Sequence, residues 1–213
     1  MSYTSRYLEE AQKIISVIDQ TKIEAMIEIL LKVREEGGRL FFLGVGGSAA
    51  NCSHAVNDFR KIGGFEAYSP VDNVAELTAR TNDEGWDTVF AAWLKGSRLS
   101  DKDCVCVFSV GGGSEDRNVS ANLVYALRYA KEVSAKIIGV VGRDGGFTGK
   151  VADACVIIPT QSQDTITPHA ESFQGTIWHL IVSDPRMMRM KNKWESVSTS
   201  NSKSAQSPVS SPK

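Results

Sequence analysis

The sequence of 213 residues has little of what marks membrane, secreted or nucleic-acid-binding proteins. No apolar run reaches the roughly 18 residues that a membrane-spanning helix needs, and the N-terminus lacks the basic and then apolar pattern of a signal peptide. The formal net charge is -1, which gives no electrostatic reason to bind nucleic acid or a membrane surface. We therefore expect a cytoplasmic protein with no nucleic-acid and no membrane partner.

Cysteine and histidine are also scarce. The four cysteines form no Cys-x-x-Cys pair, so we expect reduced thiols in the core rather than disulfides. Cys104 and Cys106 would share one face of a strand, but no further thiol or imidazole ligands lie near them to complete a metal site. Any imidazole chemistry must come from three histidines, His54, His169 and His179.

Short apolar runs alternate with helical patterns through the middle of the chain. The predicted strands cover residues 40–43, 66–69, 105–108, 136–141 and 155–158. The predicted helices cover residues 71–80, 88–95, 118–131 and 168–183, the last with Thr167 as its cap. This rhythm predicts an α/β fold with a doubly wound parallel sheet.

Two further segments flank this region. Apolar residues at helical spacing predict an N-terminal helical pair over residues 5–20 and 21–36, separated by a capping box at residues 21–24. The pair could close the domain's own core or pack against a partner subunit. Residues 195–213 are rich in Ser, Lys and Pro and have little to bury, so we predict one domain over residues 1–194 followed by a disordered tail.

Two glycine-rich loops follow predicted strands. The first is Gly44-Val45-Gly46-Gly47-Ser48, and the second runs from Ser109 through Gly111, Gly112 and Gly113 to Ser114. Backbone amides and hydroxyl groups in such loops can bind a phosphate, although similar loops also serve simply to pack a helix against a sheet. Because the carboxyl ends of parallel strands share one edge, both loops can contact one bound phosphosugar.

Imidazoles and carboxylates pair at helical spacing in two segments. His54 and Asp58 are four residues apart, and Glu171 and His179 are eight apart, about 80° around a helix. If the two helices converge, the four side chains suit a divalent metal such as zinc, or a general acid and base beside a substrate carbon. The alternatives are a core histidine at position 179 and an ordinary surface ion pair at Asp58.

Together and in order, these motifs resemble the SIS (sugar isomerase) domain family, closest to its sedoheptulose 7-phosphate isomerase branch, the phosphoheptose isomerases. The resemblance spans about residues 8–183 and includes Thr81-Asn82-Asp83 and Gly142-Arg143-Asp144-Gly145-Gly146. It implies a five-stranded parallel sheet with flanking helices and a homotetramer with active sites at subunit interfaces. The implied reaction converts sedoheptulose 7-phosphate to D-glycero-D-manno-heptose 7-phosphate through an enediol.

The resemblance also implies roles for individual residues. Substrate would be bound by Gly46, Gly47, Ser48, Asp83, Ser109, Gly111, Gly112, Gly113 and Ser114, with the phosphate on the second loop. One zinc ion per subunit, and no nucleotide, would be held by His54, Asp58, Glu171 and His179. The implied catalytic residues are Asp58, Glu171 and His179, with one of the two carboxylates as the base and His179 as the acid.

The sequence departs from the family's pattern in both loops. Val45 stands where the family usually has Asn, and the second loop has fewer hydroxyl groups. The stretch over residues 115–120 is also a few residues longer than is usual in the family. Backbone amides of the triglycine could replace the missing hydroxyl donors. These departures keep two alternatives open: a non-catalytic phosphosugar- or protein-binding scaffold, and an isomerase of another phosphosugar.

The carboxylates depart from the pattern as well. Asp58 stands in place of the family's Glu, which withdraws the carboxylate by about 1.5 Å, the length of one C–C bond. Glu171 stands in place of Gln and could restore the missing reach from the opposite helix.

Overall fold

The structure is a computed structural model that describes residues 1–190, so the predicted tail over 195–213 lies outside the described residues. The strands are β1 (Leu40–Leu43), β2 (Ala67–Tyr68), β3 (Cys104–Ser109), β4 (Lys136–Val141) and β5 (Ala154–Ile157). The helices are α1 (Tyr3–Val17), α2 (Gln20–Glu35), α3 (Gly47–Lys61), α4 (Val74–Glu84), α5 (Val89–Gly96), α6 (Ala121–Glu132), α7 (Gly146–Val151) and α8 (Ile166–Ser183). Within this range no helix combines the length and apolarity needed to cross a bilayer.

The five strands form one parallel sheet in the order β2-β1-β3-β4-β5. The chain moves outward from β1 to β2 and then returns past β1 to β3, so the winding direction reverses between β1 and β3. In doubly wound sheets a ligand binds in the crevice at such a reversal, outside the carboxyl ends of the strands. The predicted fold is confirmed, and both glycine-rich loops lie at this reversal.

The central part of the sheet is buried on both faces because β1, β3 and β4 are almost entirely apolar. In β1, Leu40 and Phe42 pack in a core with α2, α3 and α8, whereas Phe41 and Leu43 pack in a second core with α5 and α6. Successive strand residues point to opposite faces, so a continuous apolar run serves two cores. The resulting layers place α3 and α8 side by side on one face of the sheet.

Several predicted helix ends were wrong. Asp19, not Thr21, caps α2, because its Oδ1 accepts a hydrogen bond from the Thr21 amide at 2.9 Å. Helix α8 begins at Ile166 instead of residue 168, since Pro168 fits within the first turn, where an amide donor is not needed. The short helix α7 was not predicted, and α6 begins three residues later than expected.

The predicted N-terminal helical pair is present as α1 and α2, and a buried polar contact fastens α1 to the rest of the chain. Glu10 accepts a hydrogen bond from the Thr165 hydroxyl at 2.6 Å, and its Oε2 lies 3.1 Å from His169 Nε2. The Tyr7 ring stacks on His169 with centroids 4.3 Å apart. The hydrogen bond from Thr165 lowers the pKa of Glu10, with a further contribution from His169. His169 thus has a structural place between α1 and α8.

Candidate active site

Helices α3 and α8 lie side by side and bring three titratable side chains together. His54 and Asp58 project from one face of α3, and His179 projects from α8. The Nε2 atoms of His54 and His179 lie 3.5 and 3.3 Å from Asp58 Oδ2. The Asp58 residue is only 4% exposed, whereas both imidazoles are about half exposed. The carboxylate is therefore fixed in the protein, and the imidazoles face solvent.

Two neighbours that sequence reasoning did not assign to the site hold the Asp58 carboxylate in place. Trp178 Nε1 donates to Oδ2 at 3.1 Å, and Asn57 Nδ2 donates to Oδ1 at 3.0 Å. The Trp178 ring also stacks on Phe108 of β3, with centroids 5.7 Å apart. The indole therefore packs in the core while its N–H orients the carboxylate.

The geometry of these three residues fits a zinc ion. One ligand atom from each of His54, Asp58 and His179 can be chosen so that all lie within 4.8 Å of one another. Two ligands that each bind a tetrahedral zinc ion at about 2.0–2.1 Å are about 3.3 Å apart, close to the separations measured around Asp58. Two imidazoles and one carboxylate with an open fourth position also form a donor set typical of catalytic zinc.

The fourth predicted ligand, Glu171, lies outside this group among the described residues. Its carboxylate occupies the space that a side chain at position 47 would fill, because a Cβ on Gly47 would lie 2.5 Å from each carboxylate oxygen. Asn51 Nδ2 also donates to the Glu171 carbonyl at 3.0 Å. The carboxylate thus lies at the N-terminus of α3, whose partial positive charge favours an anion.

Ser48 is buried and does not face solvent. Its hydroxyl accepts a hydrogen bond from Gln174 Nε2 at 3.0 Å, and Gln174 Oε1 accepts one from Asn51 Nδ2 at 2.8 Å. These bonds join the start of α3 to α8 directly beside Glu171. Sequence reasoning missed both Asn51 and Gln174, although Gln174 lies one turn from Glu171 on α8.

The triglycine of the β3 loop is required for packing. A Cβ on Gly112 would lie 2.0 Å from the Gly145 carbonyl oxygen, and the Gly112 carbonyl accepts hydrogen bonds from the Thr148 amide and hydroxyl at 2.9 and 2.8 Å. The Gly112 amide donates to Ser109 Oγ at 3.0 Å. The loop is therefore held against the start of α7. One backbone amide that was expected to bind an anion, that of Gly112, already donates a hydrogen bond within the protein.

The extra residues after the triglycine form a small hairpin. Ser114 and Val119 exchange two backbone hydrogen bonds of 2.9 and 3.2 Å, which leaves residues 115–118 at the tip. Glu115 at the tip forms an ion pair with Arg128 of α6. Asp83, the remaining predicted substrate contact, is exposed near the end of α4, where it accepts a hydrogen bond from Asn82 at 2.8 Å.

Comparison with known proteins identifies the family. Residues 6–142 match the SIS domain family. The chain belongs to this family. It is 30% identical over 191 residues to the lincomycin biosynthesis protein LmbN of Streptomyces lincolnensis, which covers 85% of this chain and 68% of that protein.

Other members of the SIS family carry a name that matches the predicted branch. A probable phosphoheptose isomerase of Thermoplasma volcanium is 32% identical over 162 residues, which cover 74% of this chain and 79% of that protein. The solved phosphoheptose isomerase of Neisseria gonorrhoeae superposes with a TM-score of 0.72 at 22% identity, over 84% of this chain and 93% of that one. The sequence-based prediction of an SIS domain is confirmed.

Proposed function

We propose that this SIS domain is a phosphosugar aldose–ketose isomerase that converts sedoheptulose 7-phosphate to D-glycero-D-manno-heptose 7-phosphate. The observation that carries the proposal is the group of His54, Asp58 and His179, which α3 and α8 bring together on one face of the sheet. A module that only binds a phosphosugar needs no such set of proton-transferring groups. The names of its relatives, several of them phosphoheptose isomerases, support the same reaction.

The reaction needs one group that removes a proton from carbon and one that protonates the carbonyl oxygen. We assign the first role to Asp58, because its Oδ2 lies 3.3 Å from His179 Nε2, whereas Glu171 is eight residues, or about 12 Å, from His179 along α8. His179 is the acid, positioned by Asp58. Zinc held by His54, Asp58 and His179 would supply Lewis-acid polarisation of the carbonyl in place of that proton.

In this scheme Asp58 takes a proton from C1 of the ketose, the C–H electrons form the C1–C2 double bond, and His179 protonates the C2 oxygen. The enediol then loses the proton on the C1 oxygen to His179, and Asp58 returns a proton to C2. Since the carboxylate can exchange its proton with water before returning it, solvent hydrogen is expected at C2 of the product.

That exchange gives the test of the function. The purified protein is incubated with sedoheptulose 7-phosphate in deuterated water with added zinc, and the sugar is followed by NMR. Deuterium at C2 of a new heptose 7-phosphate supports the isomerase. Binding of the sugar without product and without exchange would contradict it and would favour a sensor or another substrate.

We also propose that the chain acts as a homotetramer, with one domain over residues 1–194. Support comes from exposed apolar side chains on the outer helices, among them Leu8, Ile15 and Leu180, beside a groove of about 370 Å³ between α1, α2 and α8. Light scattering of the purified chain tests this: a tetramer that dissociates in the Leu180→Glu variant is expected, and a monomeric parent protein would contradict it. Because a phosphorylated substrate does not cross membranes unaided, we place the reaction in the cytoplasm.

A further inference from the structure

The loop between β4 and α7, Gly142–Gly146, has no role in the scheme above, yet it lies against the β3 loop. Arg143 within it has a φ of +53°, a left-handed conformation that residues with a Cβ adopt uncommonly. Its side chain extends over Gly111, because a Cβ on that glycine would lie 3.6 Å from Arg143 Cδ and 3.9 Å from Nε. The arginine side chain therefore lies over the β3 loop at van der Waals distance.

Arg143 lines a cavity of about 390 Å³ between the 114–119 hairpin and the start of α7. Three cationic side chains line this cavity, Arg117, Arg143 and Lys150. None of the three forms an ion pair within the part of the chain that the structure describes. Three carboxylates also line the cavity: Glu115 pairs with Arg128, Asp144 accepts from the Gly146 amide at 3.1 Å, and Asp116 is exposed at the hairpin tip.

The β3 loop that borders the cavity offers few donors of its own. Ser109 Oγ and the Gly112 amide are bonded to each other, and the Ser114 amide donates to the Val119 carbonyl. Val110 and the triglycine supply no hydroxyl groups. A dianionic phosphate at this loop therefore needs a donor from elsewhere, and a guanidinium group can give a phosphate two parallel charge-assisted hydrogen bonds.

We propose that Arg143 binds the phosphate of the substrate, in place of the hydroxyl groups that the β3 loop lacks. The identity of the phosphate's carrier rests on the proposed function, but the presence of a phosphate site at Arg143 does not. The cavity borders the β3 loop, which follows one of the two strands between which the winding reverses.

The kinetic test compares Arg143→Gln with Arg98→Gln. Arg98 is a matched control because it is exposed, has a φ of +54° and lies in the turn that leads into β3, at the opposite edge of the sheet. Loss of charged hydrogen bonds to a phosphate is expected to raise KM roughly 10- to 100-fold in Arg143→Gln with little change in kcat. Arg143→Lys should recover part of the loss, and Arg98→Gln should match the parent. An unchanged KM in Arg143→Gln would overturn the proposal.

A second measurement separates this proposal from the proposed reaction. Inorganic phosphate is titrated into the ¹⁵N-labelled protein, and the arginine Nε–H signals are followed by NMR. A shift of the Arg143 signal, with weaker binding in Arg143→Gln and unchanged binding in Arg98→Gln, supports the site even if sedoheptulose 7-phosphate is not turned over. Absence of phosphate binding, or equal binding in Arg143→Gln, would overturn it even if the enzyme is active.

Discussion

Two buried aspartates, one just before a strand and one on a helix that covers the sheet, are satisfied in different ways. Asp103, just before β3, accepts five hydrogen bonds from Arg39 and Ser100 at 2.8 to 3.1 Å. Asp58, near the end of α3, accepts from Asn57 and Trp178 and lies near two half-exposed imidazoles. The first carboxylate is neutralised inside the protein, whereas the second faces groups that can change protonation or bind a metal.

The comparison distinguishes an aspartate that is buried for stability from one that is buried at a functional site. Burial alone would raise the pKa of Asp103, but hydrogen bonds from Arg39 and Ser100 outweigh it and hold that pKa below its usual range. Arg39 also donates to the carbonyls of Ser97 and Arg98, so the whole contact ties β1 and β3 to the α5–β3 turn. Asp58 makes no such contact with a permanent cation among the described residues. We therefore expect the two aspartates to respond oppositely to the same substitution.

The largest expected effect is on catalysis at the Asp58 group. Asp58→Asn removes the charge that positions His179 and would contribute to a metal site, so kcat/KM should fall by roughly 100- to 10,000-fold, the range associated with acid–base groups. The free energy of unfolding should change by less than about 1 kcal/mol, because the amide keeps the carboxylate's shape. Steady-state kinetics and urea unfolding of the same preparation measure both. Full activity, or a large loss of stability with normal turnover, would remove the functional role of Asp58.

The matching substitution at Asp103 should lower stability and leave the kinetics unchanged. Asp103→Asn leaves the buried Arg39 contact without its counter-charge, and we expect unfolding to become easier by about 3 kcal/mol. KM and kcat should stay within about twofold at a temperature where the variant is folded, since no atom of this contact approaches the site. Reduced activity of the fully folded variant would mean that the Asp103 contact is coupled to the Asp58 site.

A smaller effect is expected at the link between the site and the core. Trp178→Phe keeps an aromatic ring on Phe108 but removes the N–H that donates to Asp58 Oδ2. Loss of one hydrogen bond to a carboxylate is expected to lower kcat/KM roughly tenfold. A parallel His169→Gln variant, which alters the α1 contact instead, should change stability and leave kcat unchanged. Equal kinetics in Trp178→Phe and the parent would show that Asn57 alone suffices to orient the carboxylate.

More of the fold than of the site can be predicted from the sequence. β1 is apolar at every position and β3 at every position but its last, so their existence and their burial between two helical layers follow from the pattern alone. Helix ends are set by single side chains, which is why Asp19 displaced the predicted cap at Thr21. The four-residue spacing of His54 and Asp58 is a local feature, so the sequence alone predicts that the two side chains share a helix face.

The remaining features of the site are tertiary. The burial of Ser48 depends on Gln174, which is 126 residues away in sequence, and no periodicity connects the two. The direction of Glu171 depends on the empty space at Gly47. The triglycine was interpreted as a phosphate nest because its close contact with Gly145 becomes visible only once β3 and β4 are neighbours.

The smallest expected effect is a pH dependence confined to stability. Because the folded-state pKa of Asp103 is lower than its ordinary value of 3.8, the folded protein keeps this carboxylate ionised where the unfolded chain takes up a proton. Its stabilising contribution is therefore fully present above that value and is lost as the pH falls below it, and Glu10 acts in the same direction. Urea unfolding at pH 6 and pH 3 should show the parent losing more stability on acidification than Asp103→Asn. If both lose the same amount, the acid sensitivity arises from Glu10 or another carboxylate, and the five hydrogen bonds at Asp103 persist in a protonated form.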